Sequence, residues 1–169
     1  MITIETPRLL LREFILSDAE NFFELNNDYD VIRYTGDKAF STIEEAQQLI
    51  SSYMQYEKYR MGRLTMILKS SNEILGWCGL KFLEETNEVD LGYRLHKKYW
   101  GKGYATEAGI ACIDFGFTEL KLNRIIGRAA KENVGSIRVL EKCGMKFLEE
   151  KDCGHDAGVV YEIMNTFNV

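Results

Sequence analysis

The chain has 169 residues, of which 46% are hydrophobic and 28% charged, and its formal net charge is −5 at pH 7. This composition is typical of a globular protein, excludes a disordered chain or a fibre, and includes no apolar run of the roughly 18 residues that a membrane helix needs. The net acidity argues against a nucleic-acid-binding protein. The length predicts a single domain over residues 1–169. The N-terminus shows no signal-peptide pattern, so we expect the protein in the cytoplasm.

The first half of the chain alternates strand and helix signals. Residues 8–14 predict a strand, and Ser17 with Glu20 forms a capping-box pattern before a short helix. A second such pattern, Ser41 with Glu44, opens a longer helix whose apolar residues recur through Met54. Strands follow over residues 63–69, 74–83 and 89–95. In the last of these, residues 89, 91, 93 and 95 should face one side, and residues 90, 92 and 94 the other.

The second half predicts a helix over residues 105–118, a strand over 123–130 and a short helix from residue 136 that stops at Gly144. Two segments, 145–150 and 159–164, close the chain as a predicted hairpin. This order indicates a mixed α/β sheet with at least one parallel strand pair around the third long helix.

One loop between a strand and a helix is unusual in an acidic chain. The stretch LHKKYWGKGYATEA, residues 95–108, has four basic residues and two glycines, and its first acid is Glu107. Gly101 and Gly103 would let main-chain N–H groups at a helix N-terminus approach an anion, and phosphate is the usual occupant of such sites. A solvated turn with surface lysines is the alternative. The loop is neither a P-loop, since Tyr104 and Ala105 follow the last glycine, nor a dinucleotide fingerprint, since Thr106 replaces the third glycine.

Several motifs in order resemble the GNAT acyltransferase superfamily. They are YWGKGYATEA, KENVGSIRVLEKCGMKF, TPRLLLREF near the start and LGYRL before the loop, so the resemblance covers nearly the whole chain. The branch that acetylates the N-termini of ribosomal proteins is the most similar. The resemblance implies the GNAT fold, which is a mixed, mostly antiparallel sheet that splays between two strands and is flanked by helices. It also implies transfer of an acetyl group from acetyl-CoA to a primary amine, without a metal.

The resemblance assigns the cosubstrate site to this loop, to the strand before it and to the last helix. Lys98 stands where the family more often has Gln or Arg. The residues implied to bind acetyl-CoA are Tyr93, Arg94, Leu95, Lys98, Trp100, Gly101, Lys102, Gly103, Tyr104, Ala105, Thr106, Asn133, Ser136 and Arg138. Arg138 is a candidate because it is spaced i, i+4 from Lys142, so the two could share a helix face and contact phosphate; a solvated helix face is the alternative for both. For Asn133 the alternative is an N-cap.

Three residues are candidates for chemistry. Asp90 matches a position where this branch often has Glu, and Glu88 shares its strand face, so either could relay a proton; the alternative is a pair of surface carboxylates. Ser136 matches a family serine that lies near the thiol and can protonate the leaving thiolate. The acids Glu84, Glu85, Glu88 and Asp90 together favour a cationic acceptor.

The acceptor itself is open at this stage. A protein N-terminal α-amine is the leading candidate, followed by a polyamine, an amino acid or an aminoglycoside-like drug, and a non-catalytic acyl-CoA-binding module is the rival class. Tyr53, Tyr56, Tyr59 and Trp77 lie near the acceptor by family analogy or form a core stripe. We expect free thiols at Cys78, Cys112, Cys143 and Cys153, no metal at His96 and His155, no nucleic-acid or membrane partner, and a monomer or homodimer.

Overall fold

The computed structural model describes residues 1–152 and 157–166. Its centre is one eight-stranded sheet in the order β1-β2-β3-β4-β5-β6-β8-β7. The strands are β1 (Thr3–Glu5), β2 (Leu9–Arg12), β3 (Arg63–Leu68), β4 (Glu73–Leu83), β5 (Glu88–Leu95), β6 (Arg124–Ala130), β7 (Lys146–Glu150) and β8 (Gly158–Met164). The helices are α1 (Ala19–Asn27), α2 (Tyr29–Ile32), α3 (Ile43–Ser51), α4 (Gln55–Tyr59), α5 (Tyr104–Thr118) and α6 (Val134–Lys142).

The predicted fold class is confirmed. All neighbouring strands pair antiparallel except β5 and β6, which are parallel and are joined through α5. The parallel ladder is short, since only Asp90 with Ile126 and Leu91 with Gly127 are paired. Beyond those pairs no ladder joins the described residues of β5 and β6, and this unpaired stretch in the middle of the sheet is called the gap below.

The two faces of the sheet have separate cores. On one face the side chain of Leu91 packs toward α5, where a Cβ on Gly109 would lie 3.6 Å from it. On the other face α1 and α3 bury Phe22, Leu25 and Ile50, and Trp77 of β4 packs against them. The predicted alternation in β5 is therefore confirmed: Leu91 lies on the α5 face, and Arg94, which pairs with Trp77, lies on the face of α1 and α3.

Both predicted capping boxes differ from the structure. Ser17 lies inside a one-turn 3-10 helix, Leu16–Asp18, and it is Asp18 that accepts the N–H of Ile15, at 3.0 Å. The N–H of Ser41 is bound 2.7 Å away by Glu45. The longer predicted helix is broken, because α3 ends at Ser51 and α4 begins at Gln55.

The stop signal at Gly144 is confirmed. Gly144 has a φ of +83°, its N–H donates to the carbonyl of Glu141 at 3.0 Å, and the N–H of Met145 donates to that of Leu140 at 3.2 Å. This pair of bonds is the Schellman motif, which requires a left-handed residue. It turns the chain from α6 into β7.

A buried ion pair joins the first strands to α1. Asp18 is 1% exposed, and its oxygens accept two hydrogen bonds of 2.8 Å from Arg12 and one of 2.6 Å from Thr65. Burial acts to raise the pKa of Asp18, but these bonds outweigh it and lower the pKa below its ordinary value. The charged form is therefore the stable one in the folded chain.

We predict that Asp18→Asn lowers the free energy of unfolding at pH 7 by about 3 kcal/mol or more, because it leaves the Arg12 charge buried without its partner. A carboxyl whose pKa is lower in the folded chain stabilises it above the unfolded pKa of about 4, and this contribution is lost as pH falls through the folded pKa. Urea unfolding from pH 7 to pH 2 should show a shallower acid loss in Asp18→Asn than in the wild type. Asp114→Asn, at an exposed acid of α5, is the matched control. Parallel pH curves for wild type and Asp18→Asn would contradict the prediction.

Candidate functional site

The glycine loop connects β5 to α5 and exposes a run of main-chain donors. Gly101 and Gly103 have φ values of +72° and +80°, and Gly103 is the N-cap of α5. No hydrogen-bond partner for the N–H groups of residues 101–106 occurs among the described residues. A Cβ on Gly101 would meet no atom within 4 Å. These donors lie at the positive end of a 15-residue helix, so the arrangement suits the diphosphate of acetyl-CoA.

Arg8, which sequence analysis missed, braces this loop from the far end of the chain. Its Nη1 donates to the carbonyl of Lys102 at 3.0 Å and its Nε to Glu107 at 2.6 Å, and its guanidinium lies 4.5 Å from the centre of the Tyr104 ring. Thr6 donates to the same Glu107 carboxylate at 2.6 Å. Thr6 and Arg8 flank the proline of the TPRLLLREF motif. That motif and Glu107, the one acid of the loop segment, were the sequence features from which the contact between Arg8 and the loop could have been predicted.

The basic residues around the loop differ in how far they are neutralised. Lys97 forms an ion pair with Asp30, and the Nζ of Lys98 lies 3.6 Å from a Glu73 oxygen. Within the described residues Lys102 has no ion-pair partner, and its Nζ lies 5.7 Å from the Tyr99 ring. The exposed Arg138 of α6 is likewise without an ion pair in that part of the chain. Lys102 and Arg138 thus retain charge for an anion.

The main chain of β5 faces the gap at alternate residues. The N–H of His96 donates to Leu75 on the β4 side, at 3.0 Å, so the main-chain groups of Tyr93 and Leu95 point the other way, toward the gap. Trp100 Nε1 donates a hydrogen bond to the Leu95 carbonyl at 2.8 Å, so this carbonyl already has a partner. Arg94 lies between Tyr93 and Leu95; its main chain pairs with β4 and its side chain lies on the α1 face.

Hydroxyl groups meet on the α6 side of the gap. The phenol oxygen of Tyr93 lies 3.0 Å from the Ser136 hydroxyl and 2.7 Å from the Ser136 carbonyl, to which it donates. Burial raises the pKa of Tyr93, so the phenol stays protonated. Asn133 accepts the main-chain N–H of Ser136 at 3.2 Å and is therefore the N-cap of α6.

Asp90 lies on the opposite face and is tied to two arginines. It is 4% exposed; one oxygen accepts from Arg63 Nη2 and the other lies 3.3 Å from Arg128 Nε. Arg63 Nη1 also donates to the Asp90 carbonyl at 2.8 Å. Protonating this carboxylate would break charge-assisted bonds, which disfavours a role as general base.

Gly92 is required for this arrangement. The Arg63 side chain crosses the strand so closely that a Cβ on Gly92 would lie 2.5 Å from its Cζ. The Arg63 guanidinium therefore occupies the space that a side chain at residue 92 would fill. The hydroxyl of Tyr53 accepts the Arg63 N–H at 2.8 Å, and Tyr56 donates to the Arg63 carbonyl. These two tyrosines position Arg63.

The acids that favoured a cationic acceptor are largely neutralised. Glu88 lies 2.8 Å from Arg124 at the end of β5 remote from the loop, and Glu84 is paired with Lys58. Trp77 lies between two guanidinium groups, at 5.5 Å from Arg63 and 5.2 Å from Arg94. The face beside the gap is consequently rich in arginine, and the expected excess of negative charge is absent from its described residues.

The cysteines and histidines that the structure describes are buried or half-buried. Cys78 and Cys112 are buried with their sulfurs 4.0 Å apart, Cys143 is buried, and Cys153 and His155 lie outside the described residues. His96 is half-buried and contacts Asn21 at 3.1 Å. Residues 1–152 and 157–166 include no cluster of three or more acidic, histidine or cysteine side chains suited to a metal. No helix in those ranges is both long and apolar enough to cross a bilayer.

Comparison with known proteins identifies the family that this loop and open sheet define. A family model described as the acetyltransferase (GNAT) domain matches residues 8–146. An uncharacterized N-acetyltransferase, p20 of Bacillus licheniformis, is 34% identical over 142 residues, which are 83% of this chain and 80% of that protein. The chain belongs to the GNAT acetyltransferase family. It is an acetyl-CoA-dependent acyltransferase, as the resemblance implied.

Two solved structures share the fold at low identity. RimL, a ribosomal L7/L12 α-N-protein acetyltransferase in complex with coenzyme A, has a TM-score of 0.83 and 13% identity, with 96% of this chain and 98% of that chain covered. Spermidine N-acetyltransferase from Vibrio cholerae, in complex with CoA and spermine, has a TM-score of 0.79 and 18% identity, with 95% and 98% covered. The same fold thus serves a protein α-amine in one neighbour and a polyamine in the other.

We predict that Gly101→Ala weakens coenzyme A binding at least about 10-fold, because the new methyl group stands where the diphosphate meets the loop and favours a different φ. Gly144→Ala is the matched control: its φ is also left-handed, but it lies in the turn after α6. Each variant should lose about 1 kcal/mol of stability, from the left-handed conformation alone. Calorimetric titration with coenzyme A and thermal unfolding of both variants separate the two effects. Equal affinities in the two variants would count against the loop as the diphosphate site.

Proposed function

We propose that this protein transfers the acetyl group of acetyl-CoA to an α-amino group, of a protein or of an amino acid, by direct attack of the amine. The observation that carries the proposal is the run of unpaired N–H groups at residues 101–106 beside the gap between β5 and β6. The loop amides and Lys102 hold the diphosphate. The main-chain groups of Tyr93 and the N–H of Leu95 then bind the pantetheine arm along the open edge of β5.

The choice of amine follows from the two candidate bases, neither of which is free in the described part of the chain. Both oxygens of Asp90 are bound by arginine, and Glu88 is paired with Arg124. Deprotonating the α-amine of a protein N-terminus, with a pKa near 8, costs only about 1 kcal/mol at pH 7, whereas a lysine ε-amine near 10.4 costs about 5 kcal/mol. The α-amine of a free amino acid lies between the two, because its carboxylate raises its pKa. A site without a base therefore favours the α-amine, which is partly neutral in solution.

Protonation of the leaving thiolate falls to the hydroxyl pair. As the C–S bond breaks, the Ser136 hydroxyl passes its proton to the leaving thiolate and takes up the proton that the attacking nitrogen loses, so no alkoxide remains. The Tyr93 phenol, whose pKa burial raises, holds the serine in place. Ser136 is the catalytic residue of the pair and Tyr93 the positioning residue. The Asn133 cap binds the main-chain N–H of Ser136, so it fixes this turn of α6 whatever side chain residue 136 carries.

We predict that Ser136→Ala lowers kcat about 100-fold, in the range of a lost general acid, with little change in KM for acetyl-CoA. Tyr93→Phe should lower kcat less, because the serine remains. A thiol-release assay with acetyl-CoA and a free α-amine that the wild type acetylates measures both. If Ser136→Ala retains the wild-type kcat, Ser136 is not the acid.

The pH dependence tests the absence of a base. With a series of α-amines of different pKa, the midpoint of the kcat/KM profile should follow the pKa of the amine, because the described carboxylates beside the gap are already bound by arginine. Thiol release across pH 6 to 10 gives these profiles. A midpoint that stays fixed while the amine changes would indicate a general base on the protein.

The same assay tests the proposal as a whole. Thiol release that depends on an added amine supports it. Coenzyme A binding without release, across protein N-terminal peptides, amino acids and polyamines, would instead indicate the acyl-CoA-binding module.

A further inference from the structure

The face of the sheet that borders the gap opposite α6 has more basic than acidic side chains. Residues directly opposite on neighbouring strands point to the same face, so Lys81 shares the face of Asp90, and Trp77 shares that of Arg94. The basic side chains of β3 to β6 on this face are Arg63, Lys81, Arg94, Arg124 and Arg128, and the acidic side chains on the face or paired with them are Asp37, Glu88, Asp90 and Glu162. Five positive charges thus meet four negative ones, and one positive charge remains without a counter-charge in this described set.

The pairings show which of these cations is available. Arg63 is 13% exposed and is fixed by Asp90 and by two main-chain carbonyls. Arg94 is 10% exposed and is bound by Asn26 and Asp37. Arg128 is 43% exposed and makes one long contact, 3.3 Å, through its Nε. No described residue binds its two terminal nitrogens, so the free edge of its guanidinium is open.

Arg128 is also the residue that stands at the end of the gap. Gly127 is the last residue of β6 that pairs with β5, so Arg128 is the first residue after the parallel ladder ends. Gly127 points to the α6 face, where a Cβ would lie 2.5 Å from Leu140, and Arg128 points to the other face with Asp90. An amine that attacks a thioester at the end of the gap would have this guanidinium beside it.

We propose that Arg128 binds a carboxylate of the acceptor and that the acceptor is a free amino acid. This inference rests on the proposed acetyl transfer at the same site. A guanidinium with two open donors matches a carboxylate in a bidentate pair, and an amino acid places its carboxylate next to its α-amine. The surplus of positive charge disfavours a polyamine and favours the neutral form of any amine that enters, because a like charge lowers the amine pKa.

The experiment compares the common amino acids with their own carboxamides, in thiol release with acetyl-CoA. Peptide amides with a free N-terminus and spermidine complete the panel. The carboxylate raises the pKa of the neighbouring amine relative to the amide, so a preference for the acid cannot arise from amine pKa. We expect at least one amino acid to exceed its carboxamide, the peptides and spermidine by about 10-fold or more in kcat/KM, the size of one charge-assisted contact.

The variants locate the contact. Arg128→Gln should lose that preference, through a rise in KM for the amino acid, while activity toward carboxamides falls less and the affinity for coenzyme A stays within about 2-fold. Arg128→Lys keeps the charge without the bidentate fork and should restore only part of the preference. Arg124→Gln removes the same charge from the same strand and face, at about 13 Å, and should leave the preference intact.

The outcomes separate this inference from the proposed function. If carboxamides, peptides or spermidine match or exceed every amino acid in kcat/KM, acetyl transfer stands and the carboxylate site is overturned. An amino-acid preference that survives in Arg128→Gln overturns the role of Arg128. If no amine releases thiol, the proposed function fails, and calorimetry with N-acetylated amino acids and their amides in the presence of coenzyme A decides the carboxylate site. Binding of the acids alone, lost in Arg128→Gln, supports it, and equal or absent binding of both overturns it.

Discussion

Two parallel strands that keep only two residue pairs must leave main-chain donors and acceptors unpaired, and these groups need other partners. The strands cannot close the gap, because β5 is held by β4 along its whole length and β6 is held by β8 along seven residues. The sheet therefore offers a strand edge in its interior, close to the glycine loop at the start of α5. A ligand that pairs with this edge and presents a diphosphate to the loop satisfies both sets of groups at once.

The two faces of this gap differ in chemistry, and the difference follows from the helices that cover them. On the α5 and α6 face the hydroxyls of Tyr93 and Ser136 meet under a helix N-terminus, which suits a leaving thiolate and its proton. On the opposite face guanidinium groups surround Asp90, which suits the approach of an anionic molecule. Donor and acceptor can thus approach from opposite sides, so neither has to displace the other.

Sequence analysis predicted the features that depend on local pattern. The alternation in β5, the stop at Gly144 and the parallel pair around α5 were all correct, because strand period, glycine conformation and the length of a crossover act within a short stretch of chain. The features that it missed depend on contacts across the chain. Arg8 reaches a carbonyl 94 residues away, and Asp90 binds partners 27 and 38 residues distant. Asp90 therefore had the strand position of a candidate base, but its neighbours could not be inferred from that position.

The two arginines bound to Asp90 change what Asp90 can do in the reaction. A carboxylate held by Arg63 and Arg128 would have to lose charge-assisted bonds before it could accept a proton from an amine, so it serves better as the counter-charge that keeps two guanidinium groups close together. The excess positive charge that remains then acts on the amine directly, since it destabilises the ammonium form and leaves the neutral form able to attack. In this arrangement the protein lowers the proton affinity of the nucleophile through its surroundings, and an added base would weaken that effect by neutralising the arginines.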